Sequence, residues 1–213
     1  MATNVERATR MPRDQRRVQL LDAAREVFTT KGYHAAAMDD IADAAGISKP
    51  VLYQHFSSKL DLYLALLDQS CESLVEVVRA ALDSTDDNAE RVVATMDAFY
   101  EFVSSASGEF RFVFESDLTG DGSVQERLWR VNSEIADAIA EVIAEDTGLP
   151  PQQSKLLAIS LVGIAQVSAR YWVSEPGGAI GIEEAKHLVS SLAWRGISGF
   201  PLTDRPHEAA NLG

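Results

Sequence analysis

The side chains with the clearest chemistry in this sequence crowd into one short run, Met38 to Phe56, MDDIADAAGISKPVLYQHF. Gln54 can donate and accept at once, which matches an adenine edge, and Lys49 can bond a guanine edge or a phosphate. Tyr53, His55 and, just beyond the run, Lys59 carry groups suited to phosphate oxygens. Upstream, Arg10, Arg13, Arg16 and Arg17 form a basic arm able to reach further phosphates or a minor groove. His34, His55, His187 and His207 are scattered and Cys71 is alone, so neither a zinc-ligand spacing nor a disulfide framework is present. Glycine-rich phosphate loops and the nucleophile elbow are missing too. Asp117, Asp121 and Gly122 fail the alternating acidic pattern of a calcium loop and read as a solvated turn. The expectation is a chain with no metal, no cofactor and no catalytic residue.

Two short helices are needed to position these groups. Met38 to Ala45 places Ile41, Ala42 and Ala45 on one side. Gly46 permits the positive φ of a tight turn, and Ile47 plugs the corner. Ser48 is a good N-cap, and Pro50 is tolerated in a first turn. Along the second piece Val51, Leu52 and Phe56 turn inward, leaving Lys49, Pro50, Tyr53 and Gln54 outside. Such a pair, polar on the outer face of its second helix, is the helix-turn-helix pattern, and that helix fits a major groove. Spacing alone also admits a small helical bundle with solvated polar residues.

Gly32-Tyr33, Met38 to Ala42, Ala44 to Lys49 and Leu52 to Lys59 together resemble the TetR family of transcriptional regulators, roughly from Asp14 to Leu74. The resemblance implies an all-α homodimer with a three-helix DNA-binding head and a larger ligand-binding body. It implies that the outer residues of the second short helix enter the major groove, and that Tyr53, His55 and Lys59 serve phosphates. The residues expected at DNA are therefore Arg13, Arg17, Met38, Ser48, Lys49, Pro50, Val51, Tyr53, Gln54, His55 and Lys59. Three positions depart from the family pattern. Ala36 and Ala37 stand where a capping Ser or Thr is usual, and Pro50 replaces a common Gly.

The rest of the sequence is consistent with such an architecture. The chain has 213 residues, 46% of them apolar and 24% charged, which suits a folded protein and excludes disorder as its main state. The net charge of −13 would argue against nucleic acid if spread evenly. It is not: residues 1–74 carry 9 basic and 10 acidic groups, and residues 75–213 carry 10 and 22. Helical periodicity runs nearly throughout, with Gly32 after Lys31 as a C-cap and Ser58 with Asp61 as a weak capping box. Phe110, Phe112 and Phe114 alternate, which admits a short strand, but no partner strand is visible and an irregular or helical segment is preferred. No apolar signal segment is read at the N-terminus, and a lone cysteine suits a reducing cytoplasm. The run Leu156 to Ala169 is too short to span a bilayer and contains Ser160, Gln166 and Ser168, so a buried helix is expected. Residues 1–13 are expected as a flexible basic arm, 14–74 as the DNA-binding domain, 75–203 as the ligand-binding and dimerisation domain, and 204–213 as a loose tail.

Within the body, aromatic density suggests a lining for an apolar ligand, with plain core packing as the alternative. The candidates are Phe99, Phe102, Phe112, Phe114, Leu128, Trp129, Val167 and Tyr171. The last two long helices, from Gln152 and from Glu183, are rich in small residues and apolar on more than one face. A helix apolar on two faces needs two partners, one of which is expected to be a second subunit. The runs PRDQRR at Pro12, GYHAA at Gly32, KPVLYQHFSSKLDLYLALL at Lys49 and ARYW at Ala169 further resemble the actinobacterial FasR-type regulators of fatty-acid synthesis. That similarity implies lipid-gene control by a long-chain acyl-CoA effector. The partners expected are a palindromic double-stranded DNA operator and a second subunit, with no membrane. A repressor of an efflux operon answering to a drug-like ligand, an enzyme with a helical body, and a scaffold that binds only protein remain as alternatives.

Overall fold

The computed structural model describes residues 11–105, 112–113, 118, 120–174 and 180–196. Eight helices are described: α1 (Arg13–Ala35), α2 (Met38–Ala44), α3 (Lys49–His55), α4 (Lys59–Leu82), α5 (Asn88–Ser104), α6 (Gly122–Thr147), α7 (Pro151–Ser174) and α8 (Ile182–Arg195). No strand occurs among the described residues. Most of the proposed arm, the proposed tail, Phe110 and Phe114 lie outside them, while Phe112 and Val113 are helical.

The chain divides into two compact units: Met1–Ser73 with Ser105–Val131, and Leu74–Ser104 with Asn132–Gly213. The first cut falls beside the expected boundary at residue 74. The expected body ran without interruption from residue 75, whereas the structure groups Ser105–Val131 with the first unit. Periodicity along one segment cannot say which distant segment it packs against.

In the first unit α1 packs on α2 and α2 on α3. Leu20, Ile41, Leu52, Leu62 and Leu66 are fully buried, and Phe56 nearly so. Aromatic rings extend this core: Phe28 meets Tyr33 and Tyr63 at centroid distances of 5.8 and 5.5 Å, and Tyr63 meets the buried Phe112 at 5.4 Å. Gly32 has φ 74°, which breaks α1 there and matches the expected cap. Ahead of α4, the Asp61 N–H donates to Ser58 Oγ at 3.0 Å, while the Asp61 carboxylate accepts from the Ser57 N–H at 2.8 Å.

In the second unit α5 packs on α7 and α8, and these two pack on each other. Tyr100 is buried, its hydroxyl 2.9 Å from Ser168 Oγ. Lys186 is buried as well, with Glu183 and Glu101 carboxylates 3.0 and 3.1 Å from its ammonium. The helix α7 corrects one expectation. It is the one helix among the described residues long and apolar enough to cross a membrane, yet only 11% of its most apolar window is buried. Ala158, Ala165 and Ala169 face inward, while Leu156, Ile159, Val167 and Tyr171 stand exposed at helical spacing. The covered face is the small-residue face, because a side chain ending at Cβ lets neighbouring helices approach.

Candidate nucleic-acid interface and ligand cavity

The interface is built on the turn between α2 and α3. Gly46 has φ 64°, a conformation in which a Cβ is strained. There the Gly46 N–H donates to the Asp43 carbonyl and the Ile47 N–H to the Ala42 carbonyl, both at 3.0 Å. That double bond pattern closes the end of α2 and redirects the chain. The Gln19 amide adds a tie from α1, donating to the Ala45 carbonyl at 2.9 Å. At the other end of α2 the missing hydroxyl at Ala37 is offset by Asp40, whose carboxylate accepts from the Ala37 N–H at 3.0 Å and pairs with Lys31 at 3.0 Å.

On α3, Leu52 is buried, Val51 and His55 are half-buried, and Lys49, Pro50, Tyr53 and Gln54 are exposed. Ser48 occupies the N-cap position, is exposed, and makes no side-chain cap bond. The outer face of this helix is thus a continuous polar surface carrying Ser48, Lys49, Tyr53 and Gln54. Arg13 and Arg17 are exposed near its end, with the Arg17 guanidinium 4.5 Å from the Phe56 ring centroid. Partial burial, and then the charges of Arg13, Arg17 and Arg16, hold the His55 imidazole below its ordinary pKa. A cluster of cations therefore flanks the exposed face of α3.

Two residues expected at DNA have other surroundings. Met38 is buried, which removes its side chain from any surface and leaves its backbone N–H in the first turn of α2. Lys59 donates to the carbonyls of Tyr33 and Ala36 at 2.8 Å each and approaches that of His34 at 3.4 Å. Its ammonium also lies 4.4 Å from the Tyr33 ring centroid. These three carbonyls converge on it where α1 breaks at Gly32, so a phosphate would have to compete with them.

A cavity of about 300 Å³ lies in the second unit. Ile135, Ile139, Val142 and Ile143 supply one wall from α6, and Met96 and Phe99 another from α5. Val78 and Leu82 of α4, Leu161 and Ala165 of α7, and Trp194 of α8 complete the apolar lining. One group of polar lining residues centres on Arg91, whose guanidinium donates to Asn88 at 2.5 Å and to the Leu82 carbonyl at 2.8 Å, and lies 3.6 Å from the Asp146 carboxylate.

Of the eight residues expected to line a ligand site, the structure brings Phe99 into this cavity. Phe102 is buried elsewhere, Phe112 belongs to the core of the first unit, and Phe114 lies outside the described residues. Leu128 is half-buried in the first unit, where Trp129 is 71% exposed. Val167 and Tyr171 stand on the uncovered face of α7, at 67% and 62% exposure. The aliphatic wall of α6 lies outside the aromatic-rich stretches from which a lining is expected. Its signal was present as Ile135, Ile139, Val142, Ile143 at four, three and one, a helical stripe. Burial pushes the Cys71 thiol up to about 12, so it stays protonated at neutral pH.

Residues 20–66 match the family described as bacterial regulatory proteins, tetR family. Over 197 residues the chain is 45% identical to the HTH-type transcriptional activator FasR of Mycolicibacterium smegmatis (strain ATCC 700084 / mc(2)155), covering 92% of this chain and 90% of FasR. A TetR-like transcriptional regulator from Rhodococcus sp. RHA1, known from its crystal structure, is 32% identical, with a TM-score of 0.69 over 90% of this chain and 100% of that one. The fold alone is shared with FadR from Bacillus subtilis, whose crystal structure is a complex with stearoyl-CoA. The identity there is 17% and the TM-score 0.70, over 84% of this chain and 98% of FadR.

Proposed function

Because the chain belongs to the TetR family of transcriptional regulators, we propose that it acts as a cytoplasmic homodimer on a palindromic operator of lipid-metabolism genes, with a long-chain acyl-CoA as effector. The observation that carries the DNA part is the exposed polar face of α3, held out by the Gly46 turn and flanked by Arg13, Arg16 and Arg17. The effector part rests on the apolar cavity and on the likeness to FasR and to an acyl-CoA-bound FadR. Each buried methylene of an acyl chain contributes about 0.8 kcal/mol, so an aliphatic lining favours a long chain. A cationic drug suits the cavity less, since Asp146, the acid in its lining, already faces Arg91.

The uncovered face of α7 is the surface proposed for the second subunit. Two subunits present two copies of α3, so operator half-sites lie at a spacing set by the dimer. Val78 and Leu82, in the cavity wall, lie on the same helix whose first residue, Lys59, braces the DNA-binding head. A ligand that binds one arrangement of α4 better than another shifts operator affinity by that difference. Conversion of acyl-CoA is not part of the proposed role.

Native mass spectrometry of the purified protein, followed by operator binding with and without oleoyl-CoA, tests the proposal. The expected result is a dimer carrying a lipid, and operator affinity that changes with oleoyl-CoA and not with free CoA. At roughly 6–10 phosphate contacts, affinity falls about 10³–10⁵-fold between 50 and 200 mM salt. A protein that binds no duplex at 50 mM salt, or one whose DNA binding ignores every acyl-CoA, overturns the corresponding half.

A further inference from the structure

We propose that Asp39 is a specificity-determining residue: its carboxylate holds Lys49 of α3 away from indiscriminate contact with phosphates. The inference rests on DNA contact through α3. Asp39 and Asp40 are adjacent in the first turn of α2 but have different tasks. Asp40 turns back, accepting the Ala37 N–H and pairing with Lys31. That leaves Asp39 unnecessary as a cap. Its carboxylate reaches forward instead, with Oδ1 and Oδ2 2.9 and 3.0 Å from the Lys49 ammonium.

Both partners are solvent-facing, the Lys49 side chain 51% and that of Asp39 62% exposed. A pair this exposed adds little to folding, so stability gives no strong reason for it. Its consequence lies at the surface of α3. An unpaired lysine in a first turn is attracted to any phosphate, whatever the sequence. Paired, it contributes no net charge, and a duplex must replace the carboxylate with something as good. A guanine edge at the right register offers two acceptors; a phosphate in arbitrary register brings its own charge against Asp39. Discrimination then comes from a repulsive element as much as from an attractive one. The raised Lys49 pKa, caused first by its hydrogen bond to Asp39, shows the same coupling.

The test uses the full chain and two 30-base-pair duplexes. One is recovered by the wild-type protein from a random-sequence pool, and the other is a scramble of identical composition. With Asp39→Asn, affinity for the scramble should rise about fivefold at low salt. The salt dependence of that binding should steepen by about one unit in log–log slope. The ratio of recovered to scrambled affinity should fall. With Lys49→Gln already present, Asp39→Asn should leave the slope unchanged, since no cation is released. Asp39→Ser serves as a second variant, and far-ultraviolet circular dichroism checks folding of each. An unchanged affinity for the scramble, or an equal slope change with and without Lys49, overturns the role of Asp39 and leaves DNA binding standing. Failure of the wild-type protein to recover any duplex overturns the reading beneath it, and the inference with it.

Discussion

The Lys59 ammonium meets the backbone carbonyls of Tyr33 and Ala36 where α1 loses its helical course. Sequence spacing suggested a phosphate anchor, and the structure assigns it first to bracing one helix end against another. Replacing Lys59 by Met keeps the stem and removes the donors. It should cost about 2 kcal/mol in urea unfolding, the range for hydrogen bonds to a charged group. A phosphate anchor alone would instead leave stability unchanged and reduce the salt slope by about one. His55 makes a second prediction at this scale. Its lowered pKa means that the folded head disfavours imidazolium. The corresponding stability is complete above the unfolded value near 6.5 and is lost as pH falls through the lower folded value. A nearby DNA phosphate reverses that preference, so binding takes up a proton. Operator affinity should rise as pH is lowered toward the folded His55 value, and the rise should vanish in His55→Gln; a pH-independent affinity would place His55 away from phosphate.

At the level of elements, the α2–α3 turn depends on one residue that adopts positive φ without strain. No atom lies within 4 Å of a Cβ built on Gly46, so a substitution there meets open space and its cost is conformational alone. Gly46→Ala should destabilise the head by about 1 kcal/mol. Gly46→Asn should cost less, because Asn tolerates the left-handed region. Thermal unfolding of the two variants gives the order directly, and equal, negligible losses would mean the turn does not hold this geometry. Short α2 and α3 were legible in the sequence because three local signals agree on them: apolar spacing, a glycine corner and a serine at the N-cap position of α3. The stripe of α6 was equally local, but local signals do not say whether an apolar stripe faces a solid core or an empty one.

For the whole molecule, the exposed stripe of α7 is the surface proposed for the second subunit. Leu156, Ile159, Val167 and Tyr171 are apolar or aromatic and face outward in a single chain, which is the pattern expected of a surface awaiting a partner. Val167→Arg combined with Tyr171→Arg should yield a monomer by sedimentation, with an unchanged helical spectrum, since neither side chain supports the protomer's own core. Operator binding should weaken with it, because two linked heads bind far better than one. A dimer that persists in the double variant would place the interface on another surface.

What the sequence determined by itself was the local chemistry: helices throughout, a glycine-turned pair near residue 46, and a polar face running from Lys49 to Gln54. These follow from residue-by-residue preferences over fewer than about ten positions, within reach of one or two helical turns. Only the tertiary structure could decide that Lys59 closes the end of α1, that Asp39 holds Lys49, that Phe112 joins the first unit's core and that the cavity wall is aliphatic. Each of those depends on segments brought together by packing, and packing is a property of the complementary surfaces of two elements that no single stretch of sequence contains.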